Sequence, residues 1–160
     1  MELNKRIQEV VKYLDNLSEK RDIYVTTCLR DFYETMYDRY ESMHYVEKCE
    51  WVNRMINENV DEEYIDDNFQ DVYSHKEDYG MHNNGIIYIN HQLHLENYGM
   101  MDNVVMKGEM DLQEKYGDDC INSEIITLIH EYVHYHLGHG KHNKEHRRKM
   151  KQLCSKVFNY

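Results

Sequence analysis

Residues 122–140 read NSEIITLIHEYVHYHLGHG, an apolar stretch that closes on two glycines. Apolar side chains recur nearly all the way round a helix drawn through it, which is typical of a buried helix. Asn122 or Ser123 can cap the start of such a helix, and Gly138 is a common residue at a helix end. The sequence therefore predicts a buried helix that begins near Asn122 and stops at Gly138.

Polar residues interrupt this apolar helix in the run His130-Glu131-Tyr132-Val133-His134. A buried helix has to satisfy each polar group that it carries into the core. Side chains four residues apart lie about 5–6 Å from each other on one face, so His130 and His134 can reach the same metal ion. This is the H-E-x-x-H arrangement of zinc peptidases, which predicts His130 and His134 as zinc ligands and Glu131 as the catalytic residue.

A third ligand has to be found outside this run, because a catalytic zinc usually takes three protein ligands and leaves a position for water. His142 follows the glycine turn and directly precedes Asn143, a good cap for a last helix over residues 144–158. A histidine at this helix entry can project back towards the buried helix, so we predict His142 as the third ligand. Two alternatives stay open: His139 within the turn, and His146 on the inward face of the last helix.

Other parts of the chain show helical or strand patterns. Apolar residues at helical spacing predict helices over residues 2–20, 28–43 and about 51–56. The turn signal HNNG at residues 82–85 precedes IIYIN at residues 86–90, the clearest strand of the sequence.

Two segments lack a clean period, the acidic residues 57–80 and the glycine-containing residues 99–119. We expect loop with short helical pieces in the first segment and an irregular connection with one short helix in the second. No repeat or linker divides the 160 residues, so we predict one domain. Its helical N-terminal part would span residues 1–80 and its zinc-site part residues 81–160.

Composition limits the partners and the compartment. A net charge of −11 disfavours broad, non-specific binding to nucleic acid, which depends on cations that neutralise phosphates. No apolar run approaches about 18 residues and no signal-peptide core is present, so we expect a cytoplasmic protein outside the membrane. The four cysteines are scattered without a C-x-x-C pair, which favours reduced thiols. The lack of alanine and proline is typical of an AT-rich genome, such as that of a virus or a mobile element.

The chain resembles the SprT-like zinc metallopeptidases in two segments, HEYVH at residues 130–134 and HNKEH at residues 142–146, followed by Met150. The family's pattern is H-E-x-x-H, a variable spacer, then H-(G/N)-x-x-F with Met or Leu four residues later. The second segment here lacks the family's aromatic residue. The resemblance implies a zinc peptidase in which His142 is the third ligand. It also implies a strand ahead of the catalytic helix, a place that residues 86–90 would fill.

A second resemblance covers residues 130–139, HEYVHYHLGH, which are similar to the ImmA/IrrE metallopeptidases. Those proteins often continue H-E-x-x-H with L-x-G-H, and this chain has Leu137-Gly138-His139 there. The family takes its third ligand from an acidic residue in an E-x-x-A-(N/D) helix, and this chain has no such segment. We therefore rank this resemblance second.

Together these patterns predict an α+β, mostly helical fold: a minimal zincin-like metallopeptidase domain with a small sheet and a buried H-E-x-x-H helix. The predicted function is a zinc-dependent endopeptidase acting on a protein or peptide, with Glu131 as the base that activates water. An extended substrate can pair with the edge of a strand such as residues 86–90. Three alternatives remain open: a catalytically inactive metal-binding relative that acts as a protein-interaction module, a histidine-rich segment that sequesters metal, and a structural helical domain.

Overall fold

The computed structural model describes residues 3–18, 22–29, 31–32, 34–35, 78–98 and 107–159. The helices predicted over residues 28–43 and 51–56, and the acidic segment at 57–80, lie largely or wholly outside this set. The division of the chain into domains therefore stays a prediction. The described part is mostly helical and contains a small three-stranded sheet, which confirms the predicted α+β class.

The described helices and strands follow the chain in the order α1 (Lys5–Leu17), β1 (Tyr24–Thr26), β2 (Gly80–Asn83), β3 (Ile86–Ile89), α2 (His91–Asn97), α3 (Lys107–Tyr116), α4 (Cys120–Leu137) and α5 (Lys144–Phe158). The predicted first helix is confirmed as α1, and the predicted last helix as α5. Asn143 caps α5 as expected, because its side chain accepts a hydrogen bond from the backbone N–H of His146 at 3.0 Å. None of the helices in the described ranges is long and apolar enough to cross a membrane.

The centre of the core is α4. Every residue from Ser123 to His134 is buried, as the all-round apolar pattern predicts. Apolar side chains from α1, the sheet and α5 pack in the same core: Ile7, Val10, Leu14, Ile87, Ile89, Met150, Leu153 and Val157. Burying one such side chain contributes about 1.5–3 kcal/mol. This packing holds α4, and the polar residues that it carries, in a defined position.

Different features of the sequence determine where α4 begins and where it ends. The helix begins at Cys120, because the Asp119 side chain accepts a hydrogen bond from the N–H of Asn122 at 2.7 Å. The predicted start at Asn122 or Ser123 was wrong, since both residues lie inside the first turn. The helix ends at Gly138 as predicted, with a left-handed φ of 73° that glycine adopts without strain.

The sheet has the strand order β1-β3-β2, with β3 parallel to β1 and antiparallel to β2. Asn84 and Gly85 join β2 to β3 with φ of 46° and 89°, the two positive values of a type I′ hairpin turn. The predicted turn and strand are confirmed, except that Asn90 leaves the strand and caps α2. Because β3 is the central strand, the expectation that it offers a free edge to substrate was wrong. Within the described residues, β1 and β2 are the two edge strands of the sheet.

A close approach joins β2 to α4. A Cβ atom at Gly80 would lie 2.6 Å from Cγ2 of Thr127 and 3.1 Å from the carbonyl oxygen of Tyr88. It would also lie 3.4 Å from Cγ of Glu131. The absence of a side chain at residue 80 therefore lets the edge strand lie directly against the part of α4 that carries the predicted catalytic residue.

Candidate metal centre

The three predicted metal ligands meet through the same ring atom. The Nε2 atom of His134 lies 3.1 Å from Nε2 of His130 and 3.0 Å from Nε2 of His142. The third edge of this triangle, between His142 and His130, is 3.2 Å. His130 and His134 come from α4 and are buried, whereas His142 comes from the connection to α5 and is exposed.

The size of the triangle can be compared with that of a zinc site. A tetrahedral zinc ion with Zn–N bonds of about 2.0–2.1 Å separates its ligand nitrogens by about 3.3–3.4 Å. The observed edges of 3.0–3.2 Å are slightly shorter. A point about 1 Å above such a triangle lies about 2 Å from all three nitrogens, so the residues present fit the ion.

A backbone contact determines which nitrogen of His134 faces the triangle. Its Nδ1 lies 3.0 Å from the carbonyl oxygen of His139. A carbonyl only accepts, so Nδ1 carries the proton and Nε2 keeps a free lone pair for a metal. The left-handed Gly138 turns the chain back after α4, which allows the following residue to make this contact. Contacts of this kind orient the histidines of metal sites.

The corresponding partner of His130 is a carboxylate on α3. Nδ1 of His130 lies 3.0 Å from Oε2 of Glu109, and both side chains are only 11–12 % exposed. The short distance and the low exposure of both side chains make this a partly buried contact between the ring and a carboxylate. Burial lowers the pKa of His130, but Glu109 and then Glu131 outweigh it and the pKa is raised. Sequence reasoning missed Glu109.

The charges around the triangle favour a cation. Burial, followed by the charge of His130, lowers the pKa of His134 to about 4. The same two causes lower the pKa of His142. These lowered pKa values favour the neutral form of both rings, whose nitrogen lone pairs can bind a positive metal ion. The acidic neighbours of His130 attract the same positive charge.

The two alternative third ligands behave differently. His146 is fully buried, its Nε2 lies 3.3 Å from the carbonyl oxygen of His130, and its Nδ1 has no hydrogen-bond partner among the described residues. One of its ring nitrogens lies within 4.8 Å of ligand atoms of His130 and His134, so these three buried histidines can also hold a metal. The triangle with His142 has edges of 3.0–3.2 Å. The ring of His139 instead accepts the N–H of Lys141 at 3.1 Å.

The predicted catalytic residue lies beside this centre. Glu131 is 9 % exposed and, together with His134 and Tyr135, lines a cleft of about 470 Å³. Residues 82–84 of the hairpin and residues 138–140 of the turn form the other walls. A carboxylate, ring nitrogens and an open space large enough for part of a peptide therefore meet at one place.

A second group of metal-type donors lies at the other end of α4. His91, Cys120 and Glu124 each offer one ligand atom, and these atoms lie within 4.8 Å of one another. Sequence reasoning missed this group, because the histidine comes from α2 and no local spacing connects it to the other two residues.

The chain matches no protein-family model, no curated protein and no solved structure.

Proposed function

We propose that this protein is a zinc-dependent endopeptidase, with the metal held by His130, His134 and His142 and with Glu131 as the general base. One observation carries the proposal: three Nε2 atoms converge within 3.0–3.2 Å at the end of a buried helix. The Nδ1 atoms of His134 and His130 lie beside the His139 carbonyl oxygen and the Glu109 carboxylate. Both oxygens favour a proton on Nδ1, which leaves Nε2 free to bind a metal.

The chemistry divides between the metal and the chain. Bound at this triangle, zinc would act as a Lewis acid towards a peptide carbonyl and towards water. Glu131 would take a proton from the attacking water and deliver it to the leaving amine, a contribution of about 10²–10⁴ in rate. Its position next to His130 in α4 and in the wall of the cleft supports this role.

The cleft favours a protein or peptide substrate. His82 and Asn83 of β2 line it, so an extended segment bound there would lie beside this strand. Edge strands align peptides through main-chain hydrogen bonds without demanding a particular sequence. We therefore propose β2, in place of residues 86–90, as the strand with which the substrate pairs.

The experiment measures zinc per chain and cleavage of an unfolded test protein. His134→Ala should lose one zinc per chain and all cleavage, because His134 belongs to both possible triads. Glu131→Gln should keep its zinc and lose about 10²–10⁴-fold in cleavage rate. His136→Ala is the matched control, since this histidine lies on the same helix but is exposed and stacks on Tyr132.

Two outcomes would reject the proposal. Wild-type protein that binds one zinc at this triad without cleaving any unfolded protein would be a non-catalytic metal-binding protein. Cleavage that is unchanged in Glu131→Gln would remove the carboxylate from the mechanism.

A further inference from the structure

A mixed set of donors lies where α2 meets the first turns of α4. Cys120 and Glu124 are four residues apart, so they lie on the same face of α4. His91 is the first residue of α2, and its Nδ1 lies 2.5 Å from Oε1 of Glu124. Cys120 carries a free thiol in the structure.

The buried carboxylate is the unusual member of this set. Glu124 is 1 % exposed, and His91 is its only hydrogen-bond partner among the described residues. Burial raises the pKa of the Glu124 carboxyl, and His91 opposes that change. The His91 side chain is 43 % exposed, so water weakens any charge that it contributes. A divalent cation bound beside the carboxylate would supply a stronger positive partner than this half-exposed ring.

The thiol of Cys120 is affected by burial and by nearby carboxylates. Burial, followed by the charges of Glu124 and Asp119, raises the pKa of Cys120 to about 11. A divalent cation binds both thiolates and carboxylates, so Cys120 and Glu124 are suited to the same ion.

The donor types restrict the ion. Calcium and magnesium select oxygen ligands, whereas thiolate and imidazole favour zinc and related transition metals. One sulfur, one nitrogen and one oxygen within 4.8 Å of one another supply three of the four ligands of a tetrahedral site.

We propose that His91, Cys120 and Glu124 bind a second transition-metal ion, zinc or a close analogue, which ties α2 to the N-terminal end of α4. The site is distinct from the histidine triangle, since the two ligand pairs on α4 are offset by ten residues, or about 15 Å along a helix. The inference does not depend on the proposed peptidase activity.

The surrounding contacts give this site a structural role. One turn further along, His94 of α2 is fully buried, and its Nε2 lies 2.7 Å from Oγ1 of Thr127. Its Nδ1 lies 2.8 Å from the carbonyl oxygen of Asn90, where β3 ends. An ion at the adjacent position would extend this attachment of α2 and the sheet to α4.

The test uses cobalt(II) as a spectroscopic substitute for zinc in the full-length chain. Cobalt bound to a thiolate gives a charge-transfer absorption that cobalt bound only to histidines lacks. Wild-type protein loaded with two equivalents should show this band. Cys120→Ser should lose it, and the variant with both His134→Ala and His142→Ala should keep it. Cys28→Ser is the matched control, because Cys28 is an exposed thiol outside the cluster.

A second variant tests the carboxylate without touching the thiol. Glu124→Gln should weaken cobalt binding at this site by at least about tenfold, measured by titration of the thiolate band. The proposal is overturned if wild-type protein shows no thiolate band, if the band survives in Cys120→Ser, or if Glu124→Gln binds cobalt as tightly as wild type.

Discussion

The two ends of α4 present metal-type side chains at the same four-residue spacing, but the resulting sites differ. At the C-terminal end, three imidazole nitrogens converge within 3.0–3.2 Å beside a cleft of about 470 Å³. At the N-terminal end, sulfur, nitrogen and oxygen donors lie within 4.8 Å of one another, and the carboxylate is 1 % exposed.

The difference arises from the element that packs against each end. A glycine turn leads the chain from the C-terminal end to His142 and leaves a cleft beside it. A helix, α2, packs on the N-terminal end through His91 and His94. Helical spacing therefore supplies two candidate ligands, and the opposing element determines the third donor and the space around the candidate site.

The largest expected effect, and the sharpest separation of the two ends, comes from His142→Ala. Removal of one ring from the triangle should lower the zinc content by about one ion per chain and leave the thiolate–cobalt band at the N-terminal end unchanged. Because His142 is exposed, the free energy of unfolding of the metal-free protein should change by less than about 0.5 kcal/mol. Atomic emission and thermal unfolding measure the two quantities.

His146→Ala is the matched variant for that experiment. His146 is fully buried, so its truncation should lower the metal-free stability by about 1–3 kcal/mol and leave the zinc in place. Loss of zinc in His146→Ala together with retention in His142→Ala would assign the metal to the triad of His130, His134 and His146.

A smaller effect on the C-terminal end is expected from Glu109→Gln. Glu109 lies 3.0 Å from the Nδ1 of His130, whereas the Nε2 of this ring faces the triangle, and we propose that Glu109 positions the ring. Its neutralisation should weaken zinc binding by about 10–100-fold. Competition with a chromophoric chelator gives the affinity. Glu114→Gln is the control, since Glu114 lies on the same helix but is exposed, and equal affinities in the two variants would remove Glu109 from the site.

The smallest effect tests the turn that distinguishes the two ends. Gly138→Ala places a side chain at a φ of 73° and should destabilise the fold by about 1 kcal/mol. The strain comes from the local backbone, because no atom of the packed surroundings lies within 4 Å of the added Cβ. Gly140→Ala has the same open space without the positive φ, and it should be neutral. Denaturant unfolding of both variants measures the difference, and equal stabilities would contradict a role for the left-handed turn.

Local sequence signals predicted the parts of this molecule that depend on local geometry. The i, i+4 spacing identified His130 and His134, and the Asn-Gly turn identified the hairpin. Asn143 correctly marked the start of α5, which in turn placed His142 at the helix entry. The start of α4 was missed by two or three residues, because Asp119, Asn122 and Ser123 are all good caps and only the Asp119 side chain makes the capping bond at this end.

The parts that sequence could not predict depend on packing between distant segments. Glu109 reaches His130 only because α3 packs against α4, and the α3 sequence has no strong amphipathic pattern. The central position of β3 depends on its pairing with β1, a strand far away in the sequence. The second donor set likewise requires α2 to pack on α4, which no motif encodes.

The most direct test of the account is the position of the metal itself. In crystals grown with zinc, anomalous scattering at the zinc absorption edge should show a peak about 2 Å from the Nε2 atoms of His130, His134 and His142. A peak bound by His146 in place of His142 would contradict the assigned triad, and no peak at the C-terminal end of α4 would contradict the metal centre.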